Sequence, residues 1–579
     1  MGIELMRLQA ILLIPADNPL SEVGTRFMME SEVSILVGGP AGAGISSAGQ
    51  VVAQLLGRLG YRVHMYLDYP SRIKGGHNFA VIRGSDGQPG AVREKMDFLL
   101  ALNQETVGLH GRNLAPGGVI VYDAGEVKDT SGIAVAIQEI LAEEDAPTVM
   151  GNSAILGAFA RAAGIGWDIF EDVLRLSIPK AAAQNLAVAR RAYDAAEDHE
   201  RIPVLDRPFF PVFSGNEAIG IGLIEGELAN YFSYPMSPTS NIMHFLAARQ
   251  GEAKIRVFQP ESEIAVVLMA LGCAYSGTRA AVGTSGGGYC LMTEAISLAG
   301  VAELPLMIVL GQRTGPSTGL ATYSAQGDLY FALNGGHGEF PRLVAAPGDA
   351  GEARAWAGAG MDLSWKFQVP AILLADKIIC EGMFSLDPDK IPTRRQEKPS
   401  AESLSPYHRY ALTESGISPL RFPPVKGEVI RVNSHVHDTD GITTEDPGLT
   451  RAMADKRWKK ERALAEEIEQ MDPVNLLGTR ESSTALLCWG SSKWACHEVG
   501  ENYGLRVVQP VMLSPFPERG FARAMDGVDR FITVETNETG QLSRYIREFG
   551  YHPDDTILKY DGRPFTVEEL HARVKEAVS

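Results

Sequence analysis

The chain reads as a multidomain α/β protein, and three observations carry that reading. Strand-like apolar runs alternate with helical periodicity over most of its 579 residues. A glycine-rich turn joins a buried strand to a helix near the start, and the proline-rich stretch "RIPVLDRPFFPVFSGN" interrupts the pattern. The length exceeds what one ordinary core needs, so several domains are expected.

The first unit, placed at 31–205, opens with "SEVSILVGGPAGAGISSAGQVVAQLLGRLGYRVHMYLDYPSRIKGGHN". Ser34 to Val37 is a short buried strand, Ser46 to Leu59 has helical spacing, and Tyr61 to Leu67 alternates like a strand. "FAVIRG", "MDFLLALN" and "GGVIVYDA" supply further strands, and an alanine-rich helix covers Ala182 to Ala196. The proline-rich stretch gives a linker at 206–213. A second unit at 214–395 alternates the strands "TRAAVGTSG", "LPLMIVLGQRTG" and "VPAILLADK" with helices at Glu263 to Tyr275 and Met292 to Val301. That order predicts a parallel sheet covered by helices on both faces. Within it, "YPMSPTS" (Tyr234 to Ser240) is expected between two helices. Residues 396–480 read as an irregular connection ending in a charged helix, "RAMADKRWKKERALAEEIEQMD". A third α/β unit at 481–579 carries the strands "TALLCWG", "LRVVQPVML" and "DRFITVETN".

Composition narrows the function classes. Hydrophobic residues at 45% and charged residues at 21% are ordinary for a soluble globular protein. A formal net charge of -18 argues against general affinity for nucleic acid or anionic membranes. The five cysteines show no C-x-x-C spacing, which points to reduced thiols in a cytoplasmic protein and puts any iron–sulfur cluster on another chain. The apolar run from Leu8 to Pro15 is about half a membrane span and reads as a loosely attached leader or packing arm.

Candidate site residues fall into five groups. Gly38, Gly39, Gly42 and Gly44, with Asp68 ending the next strand, suggest a dinucleotide site, although Pro40 and Ser47 spoil the fingerprint. Arg72, Lys74 and His77 around Gly75-Gly76 could meet an anion or be a solvated loop. Glu261 and Glu263 open an apolar helix, where a carboxylate also complements the helix N-terminus. Arg313 follows a buried strand, where open α/β sheets bind ligands, and Ser237 or Thr239 could face that crevice or only cap a helix. "NSHVHDTDG" brings His435, His437, Asp438 and Asp440 together like a hydrolase metal motif, but lies in the irregular connection and is read as structural, with no metal assigned.

Taken together, "GGPAGAGI", "YPSRIKGGHN", "SGNEAIGIGLIEGELANYFSYPMSPTS", "QPESEIA", "GTSGGGY", "LGQRTGPSTGL", "QGDL", "GGHGEFPR", "PFPERGF" and "VETNETGQL", in that order, resemble the α subunit of 2-oxoacid:ferredoxin oxidoreductases with a γ domain fused ahead of it. The resemblance implies a γ-type domain, then a pyrimidine-type thiamine diphosphate domain, then a transketolase C-terminal-like domain. It implies that Glu263 meets the cofactor's aminopyrimidine, that Arg313 pairs with the substrate, and that the turn holding Ser237 and Thr239 reaches the substrate. Ser237 stands where the family usually has threonine. A separate β chain would hold the diphosphate, its Mg2+ and a [4Fe-4S] cluster in an (αβ)2 complex that reduces ferredoxin. Arg72, Lys74 and His77 would lie where coenzyme A approaches. The expected reaction is 2-oxoglutarate oxidation to succinyl-coenzyme A and CO2, or CO2 fixation in reverse as in a reductive TCA cycle. Pyruvate or a branched-chain 2-oxoacid is the alternative. A nicotinamide-dependent reductase built on the first domain, and a non-catalytic scaffold, are the competing classes.

Overall fold

The computed structural model describes residues 31–71, 76–199, 201–387 and 406–579. The arm expected at Leu8 to Pro15 lies outside the described residues, as do Arg72 and Lys74. The chain divides into two compact units, one up to Val212 and one from Phe213.

The first unit contains β1 (Glu32–Pro40), α1 (Ile45–Arg58), β2 (Arg62–Asp68), β3 (His77–Ser85), β4 (Met96–Ala101), β5 (Leu114–Asp123) and β6 (Ile133–Val135). These strands lie in the order β6-β5-β4-β1-β3-β2. β1, β4, β5 and β6 are parallel, whereas β3 runs antiparallel to both β1 and β2. β3 therefore separates the two strands that α1 connects. A dinucleotide fingerprint needs those strands side by side, so the reductase reading of the glycine turn is corrected. Gly42 and Gly44 serve the turn itself, with φ of 93° and 75°. A side chain on Gly44 would also meet the Asn152 amide 2.4 Å away. The Asp68 carboxylate accepts from the Tyr66 hydroxyl at 2.8 Å.

The second unit begins with α2 (Gly215–Glu225), β7 (Asn230–Ser233), β8 (Arg256–Phe258), α3 (Glu263–Tyr275), β9 (Ala280–Ser285), α4 (Gly286–Ala302) and β10 (Leu306–Gln312). It continues with β11 (Leu343–Ala345), α5 (Ala350–Phe367), β12 (Pro370–Asp376), α6 (Pro447–Glu469), β13 (Val474–Gly478) and β14 (Thr484–Cys488). After these come α7 (Ser492–Tyr503), β15 (Arg506–Pro510), β16 (Met512–Ser514), β17 (Arg530–Glu535) and β18 (Asp555–Leu558). A 7-stranded sheet has the order β16-β11-β12-β10-β9-β7-β8, parallel except for β16. A 5-stranded sheet has the order β13-β15-β14-β17-β18, parallel except for β13.

Three local expectations change. The turn expected between two helices is preceded by strand β7, because "NYFS" is short, aromatic and buried against the sheet. The apolar run "LRVVQPVML" is two strands in different sheets, since Pro510 cannot continue the ladder as a donor. Helix α4 starts at Gly286, well before the expected Met292, although three consecutive glycines are poor helix formers.

Apolar side chains from both sheets, among them Val282, Ile308, Ile372, Leu487, Trp489 and Val508, form one continuous core. The charged helix α6 is anchored by a buried ion cluster. Glu303 accepts from Lys456 at 2.7 Å and from Lys460 at 2.6 Å, and all three side chains are about fully buried. Arg409 from the irregular connection donates to the Glu303 carbonyl at 2.7 Å. These cations hold the Glu303 carboxyl far below the usual carboxylate range, while burial draws both lysines down from theirs.

Candidate active site

Parallel strands β7, β9 and β10 end together along one edge of the 7-stranded sheet. Loops leaving the C-terminal ends of parallel strands bound a crevice, and here they bring the main candidates into one place.

The "YPMSPTS" loop leaves β7 and is fixed from three sides. The Ser237–Pro238 peptide bond is cis. The buried Asn216 amide donates to the Pro238 carbonyl at 2.9 Å. Gly311 on β10 lacks the side chain that would otherwise lie 2.6 Å from Thr239 Cγ2 and 2.8 Å from Pro238 Cδ. Thr239 is fully buried, and its hydroxyl is shared between the carbonyls of Met236 at 3.2 Å and Thr284 at 3.3 Å. Thr239 therefore builds the turn, and Ser237 is the hydroxyl residue nearer the surface. The Ser237 carbonyl accepts from Arg313 Nη1 at 3.1 Å, which ties the loop to the end of β10.

Helix α4 approaches this loop through three glycines, each facing a different part of the site. A side chain on Gly286 would lie 3.1 Å from both Asp328 carboxylate oxygens. One on Gly287 would meet the Met236 methyl at 3.6 Å, and one on Gly288 would lie 2.8 Å from Glu263 Oε1 and 2.2 Å from Thr284 Oγ1. The glycines that weaken the helix thus allow Asp328, Met236 and Glu263 to pack against its first turn.

Glu263 is the first residue of α3, after Ser262, whose hydroxyl accepts from the Ala265 amide at 3.3 Å. Its side chain is buried, in contrast to the exposed Glu261. No donor among the described residues is hydrogen-bonded to the Glu263 carboxylate. A carboxylate that the chain leaves without a donor is open to accept from an external partner.

Arg313 is half-buried, and no carboxylate among the described residues reaches it at ion-pair distance. Burial lowers the proton affinity of its guanidinium, opposed by Asp328. Asp328 is raised to about 6 by burial, with Arg313 pulling the other way. Its turn is locked by Gln326, whose side chain donates to the Trp489 carbonyl at 2.7 Å and accepts from the Thr536 amide at 2.9 Å.

The remaining candidates fall elsewhere. His77 belongs to the first unit, where its Nε2 lies 2.9 Å from His110 Nε2. Burial lowers both imidazoles, His110 to about 4, so the pair is neutral near pH 7. His437 packs on the Tyr410 ring at 3.8 Å, with Nδ1 2.8 Å from the His435 carbonyl. Asp438 accepts from the amides of Asp440 and Ile442, both at 2.9 Å, and Asp440 lies 2.7 Å from His408 Nδ1. These side chains hold their own loop together. Among the described residues, no group of three His, Cys, Asp or Glu is placed to bind a metal ion.

Sequence reasoning gave no role to Asn216, Asp328 or the glycines at 286–288. Their signals were present as "SGNEA", "QGDL" and "GTSGGGY", but the contacts that give them meaning are long-range.

The residues around this crevice fit an aminopyrimidine through one acceptor, the Glu263 carboxylate, which packs where a side chain on Gly288 would otherwise lie. Residues 221–455 match the family model of pyruvate flavodoxin/ferredoxin oxidoreductase, thiamine diphosphate-binding, and residues 34–195 match that of pyruvate ferredoxin/flavodoxin oxidoreductase. The chain is 32% identical to "2-oxoacid:ferredoxin oxidoreductase 2, subunit alpha" of Aeropyrum pernix, over 94% of this chain and 97% of that one. It is 29% identical to "2-oxoglutarate oxidoreductase subunit KorA" of Mycobacterium tuberculosis, over 63% of this chain and 57% of that one. In structure it resembles the 2-oxoglutarate:ferredoxin oxidoreductase from Magnetococcus marinus with 2-oxoglutarate, coenzyme A and succinyl-CoA bound. The TM-score is 0.84 at 26% identity, covering 95% of this chain and 100% of that one.

Proposed function

The chain belongs to the 2-oxoacid:ferredoxin oxidoreductases, and from that premise we propose that it is the α subunit, with a fused γ-type domain, of an enzyme acting on 2-oxoglutarate. The reaction joins 2-oxoglutarate and coenzyme A, releases CO2 and succinyl-coenzyme A, and passes two electrons to ferredoxin. In the other direction it fixes CO2. The observation that carries this reading is the convergence of Glu263 and the Ser237 loop on the first turn of α4, with Arg313 hydrogen-bonded to that loop.

The roles follow from the chemistry of each group. Glu263, buried and without a donor, accepts a hydrogen bond from the aminopyrimidine and controls its protonation. When bound, thiamine diphosphate supplies the electron sink that decarboxylation of a 2-oxoacid requires. Arg313 keeps guanidinium donors beyond the one given to Ser237, and these form a fork for the substrate's carboxylate. Ser237 offers a hydroxyl to the same substrate, and Thr239 sets the shape of the loop that carries it.

The reading requires a partner. Helix α3 buries Val266, Val267, Ala270 and Leu271, yet leaves Ile264, Leu268 and Met269 between 42% and 50% exposed. No charged residue follows Glu263 in that helix. An uncharged apolar face beginning at Glu263 suits a permanent interface, and its occupant is the β chain that holds the diphosphate, Mg2+ and a [4Fe-4S] cluster. We place Arg72, Lys74 and His77 near coenzyme A, ferredoxin on the β chain, and the assembled (αβ)2 complex in the cytoplasm. Pyruvate or a branched-chain 2-oxoacid is the second reading, favoured by the broad "2-oxoacid" in the Aeropyrum relative's name. The test is coenzyme A-dependent viologen reduction by the co-produced α and β chains. With 2-oxoglutarate, pyruvate and 2-oxoisovalerate in parallel, 2-oxoglutarate should be preferred; preference for another acid would replace the substrate.

A further inference from the structure

We propose that Asp328 is a positioning residue of the 2-oxoacid site that takes up one proton when a substrate carboxylate binds beside Arg313, an inference that rests on the functional reading above. The carboxylate is held against Gly286 by the locked turn at Gln326, next to the crevice edge where β10 delivers Arg313. No donor among the described residues is hydrogen-bonded to either of its oxygens. The Asp328 amide donates to the Gln312 side chain at 3.1 Å, one residue before Arg313, and in the free site Arg313 draws the carboxyl down against burial.

A 2-oxoacid brings a second carboxylate to that cation. One guanidinium cannot neutralise two carboxylates, and like charges in a half-buried site push a proton onto one of them. The substrate's carboxyl is strongly acidic, so the proton goes to Asp328. It comes from solvent on binding. It returns when the substrate carboxylate leaves as CO2, which makes the exchange self-resetting and balanced. The groups facing Asp328 agree with this assignment. Tyr289 on α4 is raised to about 12 and stays neutral, Glu263 lies on the Gly288 side of the same turn, and Arg313 is the cation at the end of β10. Burial already holds Asp328 near 6, so a modest further push protonates it at neutral pH.

The test uses the αβ complex and the variants D328N and D328E. In the unmodified complex, KM for 2-oxoglutarate should rise with pH above about 6, by up to about tenfold per unit, while kcat changes little. D328N mimics the protonated form, so its KM should be flat and up to about a hundredfold lower than the unmodified enzyme's at pH 8. D328E should restore the pH dependence. A second measurement needs no turnover. Calorimetric binding of N-oxalylglycine, a non-decarboxylating analogue of 2-oxoglutarate, in two buffers of different ionisation enthalpy should show uptake of about one proton at pH 7, lost in D328N. Binding without proton uptake, or an unchanged pH slope in D328N, overturns the role of Asp328. A complex that oxidises no 2-oxoacid and binds no analogue overturns the functional reading together with it.

Discussion

Glu263 and Gly288 act as one device. A methyl group on Gly288 would lie 2.2 Å from Thr284 Oγ1 and 2.8 Å from Glu263 Oε1, so Gly288→Ala must displace the carboxylate. An ångström of displacement at a reacting group costs about a hundredfold in rate, and kcat of the complex should fall by that order while its melting temperature changes little. Arg313 contributes differently. Arg313→Gln removes a charged hydrogen bond worth about 1.5–3 kcal/mol, so kcat/KM for the 2-oxoacid should drop about 10- to 150-fold. Arg313→Lys should recover only part of it, since an ammonium cannot form the planar fork. The positions of Glu263 and Arg313 stood out in sequence because each is locally anomalous, a carboxylate opening an apolar helix and a cation directly after a buried strand, while the roles proposed for them came from the family resemblance. Asp328 and Thr239 were not. The meaning of Asp328 depends on Gly286, and the direction of the Thr239 hydroxyl depends on a carbonyl of β9.

At the scale of elements, α4 and α6 show two ways in which packing overrides local preference. The first turn of α4 forms despite three glycines: a side chain at Gly288 would collide with Thr284 and Glu263, and one at Gly286 would crowd Asp328; propensity alone placed the start later. Helix α6 was legible from its charge, but not that Lys456 and Lys460 point inward to Glu303. Glu303→Gln leaves two buried cations without their carboxylate, and should cost about 3–5 kcal/mol in denaturant unfolding. The pH dependence follows in sign. A carboxyl held below its unfolded value contributes stability above about 4.5, and that contribution is lost as pH falls toward the depressed folded value. The unmodified chain should therefore lose stability more steeply than Glu303→Gln below pH 4.5. The split of "LRVVQPVML" between two sheets was illegible for a related reason: each half is a good strand, and only the partner strands separate them.

For the molecule as a whole, alternating strands and helices made the α/β class readable, while sheet order was not. Inserting β3 between β1 and β2 turned a dinucleotide-like turn into something else, and that insertion is a long-range pairing no local motif records. Under the proposed function this chain supplies half of an active site. Ile264→Glu combined with Leu268→Glu places two charges on the exposed face of α3, and should abolish co-purification with the β chain while leaving the melting temperature of the α chain within a few degrees. The role of Glu263 in decarboxylation is tested by release of labelled CO2 from 2-oxoglutarate carrying the label at C1. The measurement compares the αβ complex with its Glu263→Gln variant, both supplied with thiamine diphosphate and coenzyme A. Release by the unmodified complex should depend on coenzyme A and should fall by about 10²- to 10⁴-fold in the variant. Equal release by the two complexes would contradict that role.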